Sequence, residues 1–145
     1  MNTAKPLKNL SSPPLPKKRF SYKREHIAIP LLAVIIGTYL DLYFVSIGMY
    51  SFPKRLFPEI FTINIAFTLI ILPVFTYLMM IIIMKMNLVQ RWSFLVLTSI
   101  VIACIERLSE SYGFFIHSDQ WKHIYSFFGY LFYMFGMWRC FKWIK

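Results

Sequence analysis

The sequence predicts an all-α membrane protein: a four-transmembrane-helix bundle preceded by a disordered basic N-terminal tail. Three observations carry this expectation. The chain has 145 residues, 58% of them hydrophobic and only 15% charged, whereas soluble domains carry about a quarter charged residues. The apolar residues gather into four long runs, over about residues 27–50, 60–84, 93–116 and 121–141. The basic residues lie between and beside those runs, with a strong bias to one side.

Residues 1–25 form the tail. They contain Pro6, Pro13, Pro14 and Pro16, four lysines before Arg19, and few aromatics. Such a segment buries too little apolar surface to offset the entropy of ordering, so it reads as disordered. Pro13, Pro14 and Pro16 are compatible with a polyproline II ligand, but a solvated basic tail is the preferred reading. Lys17, Lys18, Arg19, Lys23 and Arg24 would lie against anionic lipid headgroups, each contributing about 1 kcal/mol. The first apolar run starts after about 26 polar residues, exceeds an h-region and lacks a small-x-small cleavage site. It reads as an uncleaved signal anchor.

The domain of residues 26–145 follows. About 20 residues at 1.5 Å rise cross a hydrocarbon core of roughly 30 Å, so each run is long enough to span. The connections are short, which makes successive helices antiparallel neighbours. Pro30 falls in a first turn, where its missing N–H costs little, and Pro73 should kink the second helix. With the N-terminus inside, the cytoplasmic side holds seven tail cations with Lys85, Arg91, Arg139, Lys142 and Lys145. Lys54, Arg55 and Lys122 fall outside, and Arg107 lies within the membrane. This bias predicts a multi-pass protein with cytoplasmic N- and C-termini. Tyr50, Phe52, Trp92, Trp121, Trp138 and Trp143 sit near the expected interfaces, where amphipathic rings are favoured. The same topology accounts for the net charge of +10, which on a soluble chain would point to nucleic acid; no nucleic-acid partner is expected. The expected partners are the lipid bilayer and its anionic headgroups, with a homo-oligomer or membrane-protein partner as a further option.

Charges inside the apolar runs are the unusual feature. Asp41 falls in the first helix, and Glu106, Arg107 and Glu110 fall in the third; each costs roughly 2.5–3.5 kcal/mol near a bilayer centre. The third helix is therefore expected to depend on its neighbours for insertion. Counted from the outer ends, Asp41, Glu106 and Arg107 come to similar depth, which makes an Asp41–Arg107 ion pair a candidate contact. Glu106 and Glu110 share a face that Ser99 and Gly113 extend, with His117 on the same stripe. Asn64 should enter from the same outer side. The preferred reading is interhelical glue, with Glu106 or Glu110 hydrogen-bonded to Tyr or Ser across the bundle. The alternatives are proton or cation handling and, less favoured, ligation of a divalent metal by Glu106, Glu110 and His117. No dedicated metal site and no cofactor are read from the sequence. His26 and His123 read as interfacial residues, and Cys104 and Cys140 as small hydrophobes.

Lys54 and Arg55 lie on the outer side against the positive-inside trend. They are expected either to be held by the bundle carboxylates or to meet headgroups. Tyr130, Tyr133 and Trp138 with Gly129 and Gly136 suggest a close-packing face on the fourth helix.

The loop from Tyr50 to Pro58 carries a Y-x-x-P-x-R-x-x-P pattern through Tyr50, Pro53, Arg55 and Pro58. Together with the Glu106/Glu110 pair and Trp121 ahead of the last helix, it resembles a family of small membrane proteins of spore-forming Gram-positive bacteria. The resemblance covers about residues 35–143. It implies a four-helix protein of the bacterial cytoplasmic membrane and carries no activity with it.

The sequence has no Ser/His/Asp set, HExxH, P-loop or Gly-rich phosphate cradle. The expected function is therefore a non-enzymatic structural or accessory component of a membrane assembly. The alternatives are a small transporter or channel subunit moving protons or cations through Asp41, Glu106, Arg107 and Glu110, and, last, a metal-dependent intramembrane enzyme.

Overall fold

The computed structural model describes residues 24–145; the tail expectations for residues 1–23 lie outside the described residues. Four helices are present: α1 (Glu25–Ser46), α2 (Leu72–Met84), α3 (Leu88–Ser111) and α4 (His123–Ile144). A π-helical turn, Phe67–Ile71, leads directly into α2. Three helices are long and apolar enough to cross a membrane: Glu25–Ser46, Phe67–Met84 and Leu88–Ser111. They are apolar on all sides, with Leu31, Ile35, Leu69, Val74, Leu97 and Val101 among the many exposed aliphatic side chains. An all-round apolar helix suits a lipid environment. α4 matches α1 in length, but its histidine, serine, glycine, tyrosine and tryptophan residues keep it outside that class.

The helix ends differ from the expected spans for local reasons. α1 and α3 stop at Ser46 and Ser111 rather than at 50 and 116, because a glycine follows each of them. Gly48 and Gly113 both adopt φ of 72°, a left-handed conformation that costs glycine nothing. Gly48 N donates to Val45 O and Met49 N to Phe44 O; Gly113 N donates to Glu110 O and Phe114 N to Ser109 O. These are paired Schellman closures.

α3 begins five residues earlier than expected, at Leu88. Asn87 caps Gln90 N at 2.9 Å and the Gln90 side chain returns to Asn87 N at 3.1 Å, a reciprocal capping box. The second span starts later than residue 60. Asn64 Oδ1 accepts from Phe67 N at 3.3 Å, and Arg55 holds the preceding loop in a non-helical path. Its guanidinium donates to the carbonyls of Phe52 (2.7 Å), Phe61 (2.5 Å) and Pro58 (2.9 Å), around Phe57 at φ 53°. Pro73 is accommodated by the π turn, in which Leu72 N reaches back to Phe67 O. The wider turn absorbs the missing donor and the ring.

α1 packs on α2 and α3 packs on α4, while α4 also touches both α1 and α2. α1 and α2 cross closely at Gly37, where an added Cβ would overlap Leu72 Cδ2. The expected glycine face on α4 is not used in this way, since a Cβ at Gly129 or Gly136 would meet nothing within 4 Å. The half nearer Glu25 and Ile144 closes around an apolar core that includes Ile29, Ala33, Met79, Ile83, Met134 and Phe141. Trp138 is 7% exposed and lies under Arg91 (4.8 Å) and Lys142 (5.0 Å), so it is more buried than an interfacial ring.

At the end of the bundle away from Glu25 and Ile144 the two loops are joined. β1 (Tyr50–Ser51) pairs antiparallel with β2 (Ile116–His117), with Tyr50 opposite His117, and Ser118 N donates to Met49 O at 2.9 Å. The α1–α2 and α3–α4 connections therefore share one end of the bundle.

Gly37→Val should lower stability by about 1–3 kcal/mol through overpacking against Leu72, whereas Gly136→Ala should cost nothing. Thermal unfolding of the detergent-purified protein distinguishes them; equal effects would refute the Gly37 contact.

Candidate functional site

Shortening α1 and α3 changes the depth of the charges. Asp41 is five residues from the end of α1 and Glu106 five from the end of α3, roughly 7–8 Å along each axis. Both line a cavity of about 280 Å³ in the half of the bundle nearest β1 and β2, together with Asn64, Tyr50 and Tyr130. Every helix contributes to its wall. It opens there because α3 leans on α4 and makes few contacts with α1 and α2.

Each carboxylate has hydrogen-bond donors. Tyr50 Oη donates to Asp41 Oδ1 at 2.7 Å, and Tyr130 Oη donates to Glu106 Oε2 at 2.9 Å. Ser126 Oγ donates to Glu106 Oε1 and itself accepts from Trp121 Nε1 at 3.0 Å. Glu106 is thus held by two residues of α4 that lie four apart on one face. Glue of this kind was expected, with its donors unspecified, and the i,i+4 spacing of Ser126 and Tyr130 was the signal that could have named them. Burial pushes the Tyr50 phenol well above its usual range, reinforced by the Asp41 charge, so Tyr50 stays a donor. Its ring packs against Trp121 (5.4 Å), Phe115 (5.2 Å) and Phe44 (5.8 Å).

Several expected contacts do not form. Arg107 is exposed on α3, and among the described residues it pairs with no carboxylate. The Asp41–Arg107 ion pair is absent because residues 106 and 107 are about 100° apart around the helix, so only Glu106 faces inward. Lys54 and Arg55 do not reach the carboxylates. Lys54 Nζ donates to Tyr112 O at 2.8 Å and lies 5.3 Å over Phe114, and Arg55 binds loop carbonyls.

Glu110 and His117 do meet, with His117 Nε2 3.2 Å from Glu110 Oε1. His123, expected to be interfacial, joins them: its Nε2 is 3.5 Å from Glu110 Oε2 and its Nδ1 is 3.8 Å from Glu106 Oε1. Of the three less favoured metal candidates, Glu106, Glu110 and His117, Glu106 stands behind His123 instead of beside the other two. The Schellman turn at Gly113 and the strand bridge at His117 create this grouping, and no helical spacing encodes it. His26 packs edge-on against Tyr77 (5.9 Å) and Phe141 (5.7 Å) at the opposite end.

No family model, curated protein or solved structure matches the chain.

A double-mutant cycle on Glu106→Gln and Tyr130→Phe should give a coupling of about 0.5–3 kcal/mol in detergent unfolding. Strict additivity would show that the hydrogen bond does not contribute. Tyr50→Phe should destabilise by about 1.5–3 kcal/mol, because it deprives Asp41 of its donor.

Proposed function

We propose that this chain is a non-enzymatic, four-span protein of the bacterial cytoplasmic membrane, with both termini cytoplasmic, and that it serves as an accessory component of a membrane assembly. In this reading the outer cavity receives a cationic group from a neighbouring membrane protein. The observation that carries it is the division of the bundle into an acidic, open outer half and a dry inner half. Asp41 and Glu106 line the cavity with no lysine or arginine among its walls, and Asp41 Oδ2 has no hydrogen-bond partner. A guanidinium or ammonium group would complement that wall.

A through-membrane relay has less support. A proton or cation pathway needs polar sites that continue toward the other face. Below the Thr76–Tyr133 hydroxyl pair (2.7 Å), the space between the helices is filled by Ile29, Ala33, Met79, Met80, Ile83 and Met134, each at most 2% exposed. Arg107 offers a second point of contact, being exposed on α3 without a carboxylate from this chain. The four-span topology draws on the length of α4, its packing against α1 and α2, and the distribution of lysine and arginine.

Two measurements test the proposal. Affinity purification from native membranes in mild detergent should recover a membrane partner, and its yield should fall by about tenfold for Asp41→Asn combined with Glu106→Gln. Wild-type liposomes should hold a pH gradient as long as protein-free ones. A gradient that collapses in wild-type vesicles and survives in Glu106→Gln vesicles would replace this reading with proton conduction.

A further inference from the structure

Three side chains from three different elements meet beside Glu106: Glu110 from the last turn of α3, His117 from β2 and His123 from the start of α4. One ligand atom from each lies within 4.8 Å of the others. The two imidazole–carboxylate separations are 3.2 and 3.5 Å. A tetrahedral zinc ion with bonds of about 2.0–2.1 Å holds its ligand atoms roughly 3.3–3.4 Å apart. Each imidazole thus lies near that distance from one Glu110 oxygen, His117 from Oε1 and His123 from Oε2.

The imidazole hydrogen bonding points the same way. His117 Nδ1 lies 3.0 Å from the Ser118 carbonyl oxygen. A carbonyl only accepts, so Nδ1 carries a proton, and in the neutral tautomer Nε2 would present its lone pair to Glu110. Two lone pairs facing each other at 3.2 Å repel unless a cation or a second proton lies between them. The other Glu110 oxygen lies 3.5 Å from His123 Nε2. His123 Nδ1 is buried without a hydrogen-bond partner and has the Glu106 carboxylate 3.8 Å behind it. A carboxylate behind the far nitrogen is the usual arrangement that orients a metal-bound histidine. The three side chains are 23–32% exposed, which leaves an entry path and room for a fourth ligand.

We propose that Glu110, His117 and His123 bind a divalent first-row transition ion of the zinc class, with Glu106 orienting His123. Two imidazoles and one carboxylate favour zinc, cobalt, nickel or copper over magnesium and calcium, which prefer all-oxygen sites. The ion ties the end of α3 to β2 and the start of α4, closing the outer connection over the cavity. The site goes beyond the accessory reading and does not depend on it, because binding is a property of the chain without a partner.

The full chain, purified in detergent and stripped with chelator, should bind one equivalent of Zn²⁺ by calorimetry. With Co²⁺ it should develop the intense visible absorption of a tetrahedral site. His117→Ala and His123→Ala should abolish saturable binding, and Glu106→Gln should keep the stoichiometry while weakening affinity about 10–100-fold. His26→Ala should bind as the wild type does. Absence of saturable zinc binding in the wild type would overturn the proposal, leaving a protonated histidine between the lone pairs. That titration decides the matter even where an alanine variant fails to fold. Wild-type affinity in both the His117 and His123 variants would overturn it equally. Either failure leaves the partner-recovery experiment unaffected.

Discussion

The Glu106 carboxylate sets the terms for the rest of this bundle. A carboxyl group among apolar helices is tolerated only where donors surround it, and here both oxygens are occupied. Ser126 and Tyr130 reach it from α4, one turn apart, and Trp121 secures Ser126 from behind. These contacts tie α3 to α4 along their outer halves. α4 also carries the packing against α1 and α2. α3 therefore enters the bundle through its attachment to α4, with little direct contact to the first hairpin. The gap left between α3 and α1 is the cavity, so the bond that satisfies Glu106 also creates the space in front of Asp41.

The outer connections complete that arrangement. α1 and α3 end in the same way, with a left-handed glycine closing the last turn and a two-residue strand following within a few positions. Because the two strands pair, Tyr50 and His117 are placed opposite each other. Tyr50 turns inward to Asp41, and its ring joins Phe44, Phe115 and Trp121. The Arg55 guanidinium organises the longer loop by binding three carbonyls, which explains why a basic residue stands on the outer face without serving the carboxylates. The hydrogen-bonded carboxylates Asp41 and Glu106 thus sit toward one end, and the other half is packed around Ile29, Ala33, Met79, Ile83 and Phe141. This division is the feature on which the proposed binding role rests.

Much of this was legible in the sequence. Composition and run length determined the helical character, the number of long helices and the presence of helices apolar enough to cross a membrane, because a chain in lipid must satisfy its backbone within each helix. The placement of Asp41 and Glu106 at matching depth also followed from counting residues along antiparallel helices. Glycine at 48 and 113 carried the true helix ends, although apolar residues beyond them extended the expected spans. Asn87 and Gln90 likewise encoded an earlier start for α3 through their capping geometry.

What only the tertiary structure decided is which charges face one another. Residues 106 and 107 are adjacent in sequence, and the rotation of α3 against α4 alone sends Glu106 inward and Arg107 outward. The donors to Glu106 lie 20 and 24 residues away, and Tyr50 reaches Asp41 across a reversed chain. His123 meets Glu110 because a Schellman turn and a strand bridge fold the connection back, a path with no periodicity to read. Hydrophobic runs are local and survive as a one-dimensional pattern. Hydrogen-bond partners in a bundle depend on helix rotation and loop direction, which are set only when all four helices pack.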